Sequence, residues 1–136
     1  MIDHITFGSN DMKAATAFYD AVMATIGYTR IAEENDKTEG LVAAGYGKAA
    51  DKGKEPLFWV CLPLDETVPA KACNGTHIAF KAASQTQVDD FYKAALKNGG
   101  KDGGAPGLRP HYEKDYYAAF VFDPDGHKIE AVFCNR

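Results

Sequence analysis

The chain contains one 24-residue pattern twice, HITFGSNDMKAATAFYDAVMATIG at residues 4–27 and HIAFKAASQTQVDDFYKAALKNGG at residues 77–100. Aligned without a gap, the two stretches share an opening His-Ile, a Phe-Tyr pair and a final Gly among seven identical positions. Unrelated stretches of this length would share roughly one or two residues. The repeat therefore predicts two copies of one structural unit.

Each copy is predicted to fold as a strand, a helix and three further strands. Alternating polar and apolar residues are followed by apolar residues at helical spacing. Asn10 or Asp11 is expected to cap the first helix, and Ser84 the second. The further strands are expected at residues 28–33, 41–46 and 57–62, and at 101–103, 117–123 and 128–134. We thus predict an α+β fold of two βαβββ modules, with module one at 1–63, a linker at 64–74 and module two at 75–136.

The composition excludes several classes of protein. The chain has 136 residues, of which 46% are hydrophobic and 25% charged, and its net charge is −4. The acidic balance argues against nucleic acid or an anionic membrane surface as a partner. No apolar run is long enough to cross a membrane. Because the chain starts without a signal pattern and its three cysteines are widely spaced, we expect a cytoplasmic protein.

Strand alternation predicts a metal site on the face of the fold away from the helices. In each first strand Ile and Phe are expected to face the helix, so that His4 and His77 face away from it. If Ile129 and Phe133 fill the core, Glu130 joins the two histidines. Two imidazoles and one carboxylate suit Fe(II), Mn(II), Ni(II), Co(II) or Zn(II) and leave positions open for substrate. The alternative interpretation is that both histidines are surface or hydrogen-bonded strand residues.

The segment 103–117 is predicted to be a substrate-recognition loop, because it is rich in glycine, proline, polar and aromatic residues. A guanidinium there suits a carboxylate or phosphonate, an imidazole suits acid–base catalysis, and a phenol can donate to an oxyanion. Alternatively, the tyrosines only cover the edge of the sheet. The candidate substrate-binding residues of this loop are Arg109, Tyr112 and Tyr116, and the candidate catalytic residues are His111 and Tyr117.

Two aromatic residues in the last strand of module one, Phe58 and Trp59, are further candidates for contact with substrate. Aromatic residues in such a strand more commonly form core or cavity wall, so both interpretations are kept for these positions.

Four motifs together resemble a known family. They are DHITF at residues 3–7, THIAF at residues 76–80, the Phe-Tyr pair in each helix, and the closing DPDGHKIEAVF at residues 123–133. They look like the glyoxalase/bleomycin resistance/extradiol dioxygenase superfamily, whose fold is called vicinal oxygen chelate. The segment APGLRPHYEKDYYAAFVFDPDG, at residues 105–126, is similar to a glyoxalase-related branch. The resemblance covers nearly the whole chain and implies a half-barrel sheet with the helices outside.

In that family the metal ligands come from the first and last strands of each module. The resemblance therefore implies His4, His77 and Glu130 as ligands of a divalent metal, with Glu130 also a catalytic carboxylate. The fourth position should lie within residues 56–62, where Trp59 gives the likeliest alignment and no carboxylate occurs. Glyoxalase I enzymes use a fourth ligand there to move the substrate proton, so that activity is not expected.

Two functions follow from the resemblance. The first is a metal-dependent lyase, isomerase or dioxygenase that acts on a small oxygen-chelating molecule. The second is a metal-free protein that binds a drug or another small molecule in a groove between subunits. Each module alone is too small to bury a good core, so the modules must pair. In this fold they pair within a chain or between chains, and we expect a homodimer.

Overall fold

The computed structural model of the chain describes residues 2–36, 38 and 41–135. The elements of the first module are β1 (Ile5–Gly8), α1 (Met12–Ala24), β2 (Thr29–Asp36), β3 (Leu41–Gly47), a 3-10 turn (Ala49–Asp51) and β4 (Phe58–Cys61). Those of the second are β5 (His77–Lys81), α2 (Gln85–Lys97), β6 (Lys101–Leu108), β7 (Tyr117–Phe122) and β8 (Lys128–Phe133). Both modules therefore have the predicted βαβββ order.

Each module forms a four-stranded mixed sheet with its first strand at one edge. The strand orders are β1-β4-β3-β2 and β5-β8-β7-β6, so the two copies share one topology. In each sheet the first strand runs parallel to the last, and the other neighbours are antiparallel. The α+β class and the two modules are thus confirmed, and within one chain the strands form two separate sheets.

Both helices begin where their capping residues were predicted. Oδ1 of Asp11 accepts a 3.0 Å hydrogen bond from the amide of Ala14, and Oγ of Ser84 accepts one of 3.2 Å from the amide of Gln87. These bonds satisfy amides that have no partner within the helix. In the described part of the chain, neither helix is long and apolar enough to cross a membrane.

The two modules share one hydrophobic core. Each sheet turns its helix-bearing face toward this core, and α1 packs against α2. The rings of Phe58 and Phe80, one from each module, meet edge to face at 5.2 Å. The opposite face of each sheet therefore points away from the core, and we call these two surfaces the open faces. The residues that define them are His4, Thr6 and Trp59 in the first module and His77, Phe120, Lys128 and Glu130 in the second.

The turn between β7 and β8 docks the second module onto the first. The hydroxyl of Tyr19, on α1, donates a 2.7 Å hydrogen bond to Oδ2 of Asp123, and both residues are buried. Burial raises the pKa of the Asp123 carboxyl. The ring of His127 stacks on Phe7 at 4.3 Å, and its Nε2 lies 2.8 Å from the carbonyl oxygen of Gly8. No role was predicted for His127 from the sequence. In the structure it contacts Phe7 and Gly8 and so joins the second module to the first.

The strand β6 is longer than predicted. A strand was expected only at 101–103, but β6 runs over Lys101–Leu108. Its pairing with β7 shifts between Asp102 and Gly104 and again between Gly104 and Gly107. Edge strands tolerate such bulges, together with the glycines and Pro106 that make this segment look like a loop. The predicted loop 103–117 is therefore shorter and spans residues 109–116.

Candidate metal centre

Glu130 is a buried carboxylate on the open face of the second module. Strand alternation in β8 turns Ile129 and Ala131 into the core and Glu130 to the other face, as the sequence predicted. Its side chain is only 2% exposed. Oε2 of Glu130 lies 3.2 Å from Nε2 of His77, whose side chain is 44% exposed. The pair therefore places one imidazole between the buried carboxylate and the solvent.

Tyr116 holds the other oxygen of the same carboxylate. Its hydroxyl donates a 2.6 Å hydrogen bond to Oε1 of Glu130. Tyr116 is predicted to contact substrate, which stays a prediction, and the structure adds that it is a partner of Glu130. A short bond from a hydroxyl to a carboxylate is strong and limits the freedom of the acceptor. Both oxygens of Glu130 are thus held in fixed positions.

The spacing of these two groups fits a metal ion. Two ligand atoms bound side by side to one ion at about 2.1 Å lie ~3 Å apart. The 3.2 Å between His77 Nε2 and Glu130 Oε2 is close to that value. Imidazole nitrogen and carboxylate oxygen are also the donors that divalent transition metals prefer. His77 and Glu130 therefore fit two positions of a metal centre.

His4 lies on the other open face. Its side chain is 46% exposed, and its Nδ1 lies 2.8 Å from Oδ1 of Asp3. Together with Trp59 and Cys61 it lines a cavity of about 330 Å³. Within residues 2–36, 38 and 41–135 there is no group of three His, Cys, Asp or Glu residues that could hold a metal. One chain thus brings together two of the three predicted ligands, and His4 remains apart.

Trp59 occupies the position in module one that Glu130 occupies in module two. Thr6 pairs with Trp59 across the parallel strands, and Ala79, 73 residues after Thr6, pairs with Glu130. The indole Nε1 donates a 2.9 Å hydrogen bond to Glu55. A Cβ on the neighbouring Gly45 would lie 3.0 Å from Cη2 of the indole, so glycine makes room for the ring. The alignment made from the sequence is therefore correct, and an aromatic wall stands where a fourth ligand would be.

Two cations lie beside the Phe120 ring on the open face of the second module. Nζ of Lys128 is 4.8 Å from the ring centroid, and Cζ of Arg109 is 5.8 Å from it. Nη2 of Arg109 donates a 2.7 Å bond to the carbonyl of Ala105. A Cβ on Gly107 would lie 3.1 Å from Nη1 of Arg109, so this glycine lets the side chain lie along β6. Sequence analysis selected Arg109 but missed Lys128, which the two-residue period places on the same face as Glu130.

Two residues predicted for the site face the core instead. The hydroxyl of Tyr117 donates a 2.9 Å bond to Oδ1 of Asp89 on α2, and this bond raises the pKa of Tyr117. Tyr117 follows Tyr116 directly, so the first residue of β7 points to the opposite side of the sheet. Phe58 is buried in the shared core. Neither side chain belongs to an open face, and the alternative interpretation of Phe58 as a core residue is confirmed.

The remaining loop residues form an exposed aromatic stack. The rings of His111 and Tyr112 lie 4.3 Å apart, and those of Tyr112 and Tyr116 lie 5.3 Å apart. Both His111 and Tyr112 are exposed. Tyr112 contacts Tyr116, which is bonded to Glu130, so this stack lies at the rim of the candidate site.

Comparisons with known proteins show the family and the fold. A sequence profile of the Glyoxalase/Bleomycin resistance protein/Dioxygenase superfamily matches residues 1–131. Metallothiol transferase FosB of Shouchella clausii is 28% identical over 131 residues, which are 95% of this chain and 77% of that protein. A glyoxalase/bleomycin resistance protein from Albidiferax ferrireducens has 31% identity and a TM-score of 0.78, with 97% of both chains covered. Glyoxalase I of Zea mays shares the fold at 18% identity and a TM-score of 0.68, over 95% of this chain and 44% of that one.

Proposed function

Since the chain belongs to the glyoxalase/bleomycin resistance protein/dioxygenase superfamily, we propose that it is a metal-dependent enzyme whose site is completed by a second copy of the chain. In this proposal His77 and Glu130 of one chain and His4 of another hold one divalent ion. Fe, Mn, Ni, Co and Zn all suit two imidazoles and a carboxylate. The substrate is a small molecule that offers two adjacent oxygen atoms.

One observation carries the proposal, namely the buried Glu130 between His77 and Tyr116. A buried carboxylate is costly unless it is paired, and a half-exposed histidine is a weak partner for stability alone. A divalent cation next to both groups would compensate the carboxylate fully. The relative from Shouchella clausii is named a metallothiol transferase, and that name also supports a metal-dependent reaction.

The position of His4 supports assembly from two chains. His4 and the His77–Glu130 pair lie on open faces that both point away from the shared core, so the fold of one chain keeps them apart. The first strand of each sheet is also an edge strand. A two-fold dimer can set the open face of each first module against that of its partner's second module, and by symmetry two equal sites form.

The chain's own residues would orient the substrate beside the ion. When bound, the ion would act as a Lewis acid and stabilise negative charge that develops on a substrate oxygen. Tyr116 holds Glu130 in place, and the guanidinium of Arg109 is available to an acidic group of the substrate. Isomerisation, oxygenation and nucleophilic addition all share this stabilisation. A glyoxalase I reaction is not proposed, because Trp59 stands at the position of its fourth ligand.

A metal-free binding protein is the second candidate, and Trp59 favours it. The indole lies over Gly45, beside a cavity of about 330 Å³ that is lined by His4 and Glu55. A flat aromatic wall of this kind suits a bulky planar or cationic ligand. In that case the histidines would have no metal-binding role.

Metal analysis separates the two candidates. Protein purified without chelator is expected to contain about one divalent ion per chain, and His77→Ala is expected to abolish this content because it removes one of three ligands. His111→Ala is the matched control, since His111 is an exposed histidine at the rim of the site and is not one of the proposed metal ligands. If wild type and both variants are equally free of metal after incubation with each of the five ions, the enzyme proposal is wrong and the binding protein is favoured.

A further inference from the structure

A second cavity adjoins His77, one of the candidate metal ligands. It has a volume of about 420 Å³ and lies between the end of the second open face and the segment 72–76 that precedes β5. His77 and Lys128 line it from the sheet, and Asn74 and Thr76 line it from the segment. This cavity therefore extends from the metal-binding histidine toward the chain that connects the modules.

Lys128 is the cationic group of this cavity. It pairs directly with His77 across the parallel strands β5 and β8, and it lies two residues before Glu130 on the same face. Neighbouring strands are about 4.8 Å apart, and alternate residues of one strand about 6.6 Å. The Lys128 ammonium is thus within reach of a small molecule whose other end contacts the metal.

The charge of Lys128 is not neutralised by the protein. Among the described residues, no carboxylate lies within ion-pair distance of its Nζ, and the Phe120 ring is the partner of the ammonium. None of the described residues that line the cavity is acidic, although acidic residues outnumber basic ones in the whole chain. A cavity with one unpaired cation, an amide and a hydroxyl is complementary to an anion.

We propose that this cavity binds an anionic group of the substrate, a carboxylate or a phosphate-like group, with Lys128 as its counter-ion. Asn74 and Thr76 also line the cavity and carry neutral donor groups, and Phe120 keeps the ammonium on the open face through the cation–π contact. As a statement about the substrate, this inference rests on the proposed function. The substrate class is then a small acid whose two chelating oxygens lie a few bonds from its anionic group.

Binding of inorganic phosphate and of acetate tests the proposal without knowledge of the substrate. The full chain is titrated with each anion at constant ionic strength, and amide shifts of residues 72–77 and 126–130 are followed by NMR. Lys128→Gln is expected to weaken binding of the preferred anion at least ~10-fold, because the unpaired charge dominates a site of this kind. Lys81→Gln is the matched control. Lys81 lies on the same face of β5 as His77, and its substitution changes the net charge by the same amount as Lys128→Gln.

The same variants separate this proposal from the metal proposal. His4→Ala is expected to lose metal but keep anion binding, because His4 is a proposed metal ligand that does not line this cavity. Lys128→Gln is expected to keep metal but lose the anion. If wild type, Lys128→Gln and Lys81→Gln bind both anions equally, or if none of them binds either anion, the anion site is wrong. A chain that lacks metal but shows Lys128-dependent binding overturns only the metal proposal. Stronger binding of phosphate than of acetate would assign a phosphate-like group, and the reverse a carboxylate.

Discussion

At the scale of single residues, the candidate site depends on Glu130, whose carboxylate has a partner at each oxygen. His77 contacts one oxygen of the carboxylate, and Tyr116 donates to the other. Groups that hydrogen-bond to a metal ligand orient it and adjust its basicity, and their loss typically weakens metal binding. In the proposed metal centre, Tyr116 is therefore a positioning residue that acts through its hydroxyl.

Tyr116→Phe is expected to weaken metal affinity roughly 10–100-fold, because Glu130 loses one of its two fixed contacts. A competition titration against a coloured chelator measures this affinity. Tyr112→Phe serves as the control, since Tyr112 is 61% exposed and lies at the rim. Equal affinities for the two variants would show that the Tyr116 hydroxyl does not position the ligand.

The period of two residues in a strand made much of the site predictable. Alternation placed His4, His77 and Glu130 away from the helices and Ile129 in the core, and the structure agrees. The same rule places Lys128 on the face of Glu130, but it assigns no role to that residue. A lysine near the end of a strand is usually a solvated surface residue.

At the scale of elements, the hardest part to predict was β6. Its glycines and Pro106 indicate a loop, yet it forms an eight-residue strand that pairs with β7 at five positions and has two irregularities. A loop and a bulged edge strand can have the same amino-acid composition. Only hydrogen bonding to a neighbouring strand, which the sequence does not reveal, distinguishes them. Tyr117 was misassigned for a related reason, since the first residue of β7 could not be located without knowing where the loop ends.

The seam between α1 and the β7–β8 turn is an element-level source of stability. Tyr19→Phe leaves Oδ2 of the buried Asp123 without its donor, which is expected to lower the free energy of unfolding by about 1–3 kcal/mol. Urea denaturation measures this loss. Tyr92→Phe also removes a tyrosine–aspartate bond, to Asp102, but an exposed one, so its effect should be clearly smaller. A loss in Tyr19→Phe no larger than in Tyr92→Phe would contradict a stabilising role for the seam.

At the scale of the whole molecule, the repeat explains both the fold and the separation of the ligands. Each copy has its own sheet and helix, and the two copies bury their helices in one core. That arrangement turns the two open faces outward, so His4 lies on one open face and the His77–Glu130 pair on the other. The resemblance of the motifs to the superfamily is confirmed over residues 1–131. Sequence alone left open whether the modules complete a site within a chain or between chains, because the repeat is compatible with both.

The central claim is that His4 of one chain completes the site of His77 and Glu130 in another. Metal content of a mixture of His4→Ala and His77→Ala chains, refolded together in equal amounts, tests it most directly. In a mixed dimer, one site keeps His77 and Glu130 of the His4→Ala chain and His4 of the His77→Ala chain, so it is intact. The other site lacks both histidines. Random pairing of equal amounts makes half of the dimers mixed. The mixture is therefore expected to bind about a quarter of the wild-type metal, and each variant alone to bind little.

Native mass spectrometry of the same sample counts the mixed dimers, so that the recovered metal can be related to them. A site shared between chains predicts one ion per mixed dimer and none in the dimers of a single variant. A mixture that binds no more metal than the two separate variants would contradict a site shared between chains.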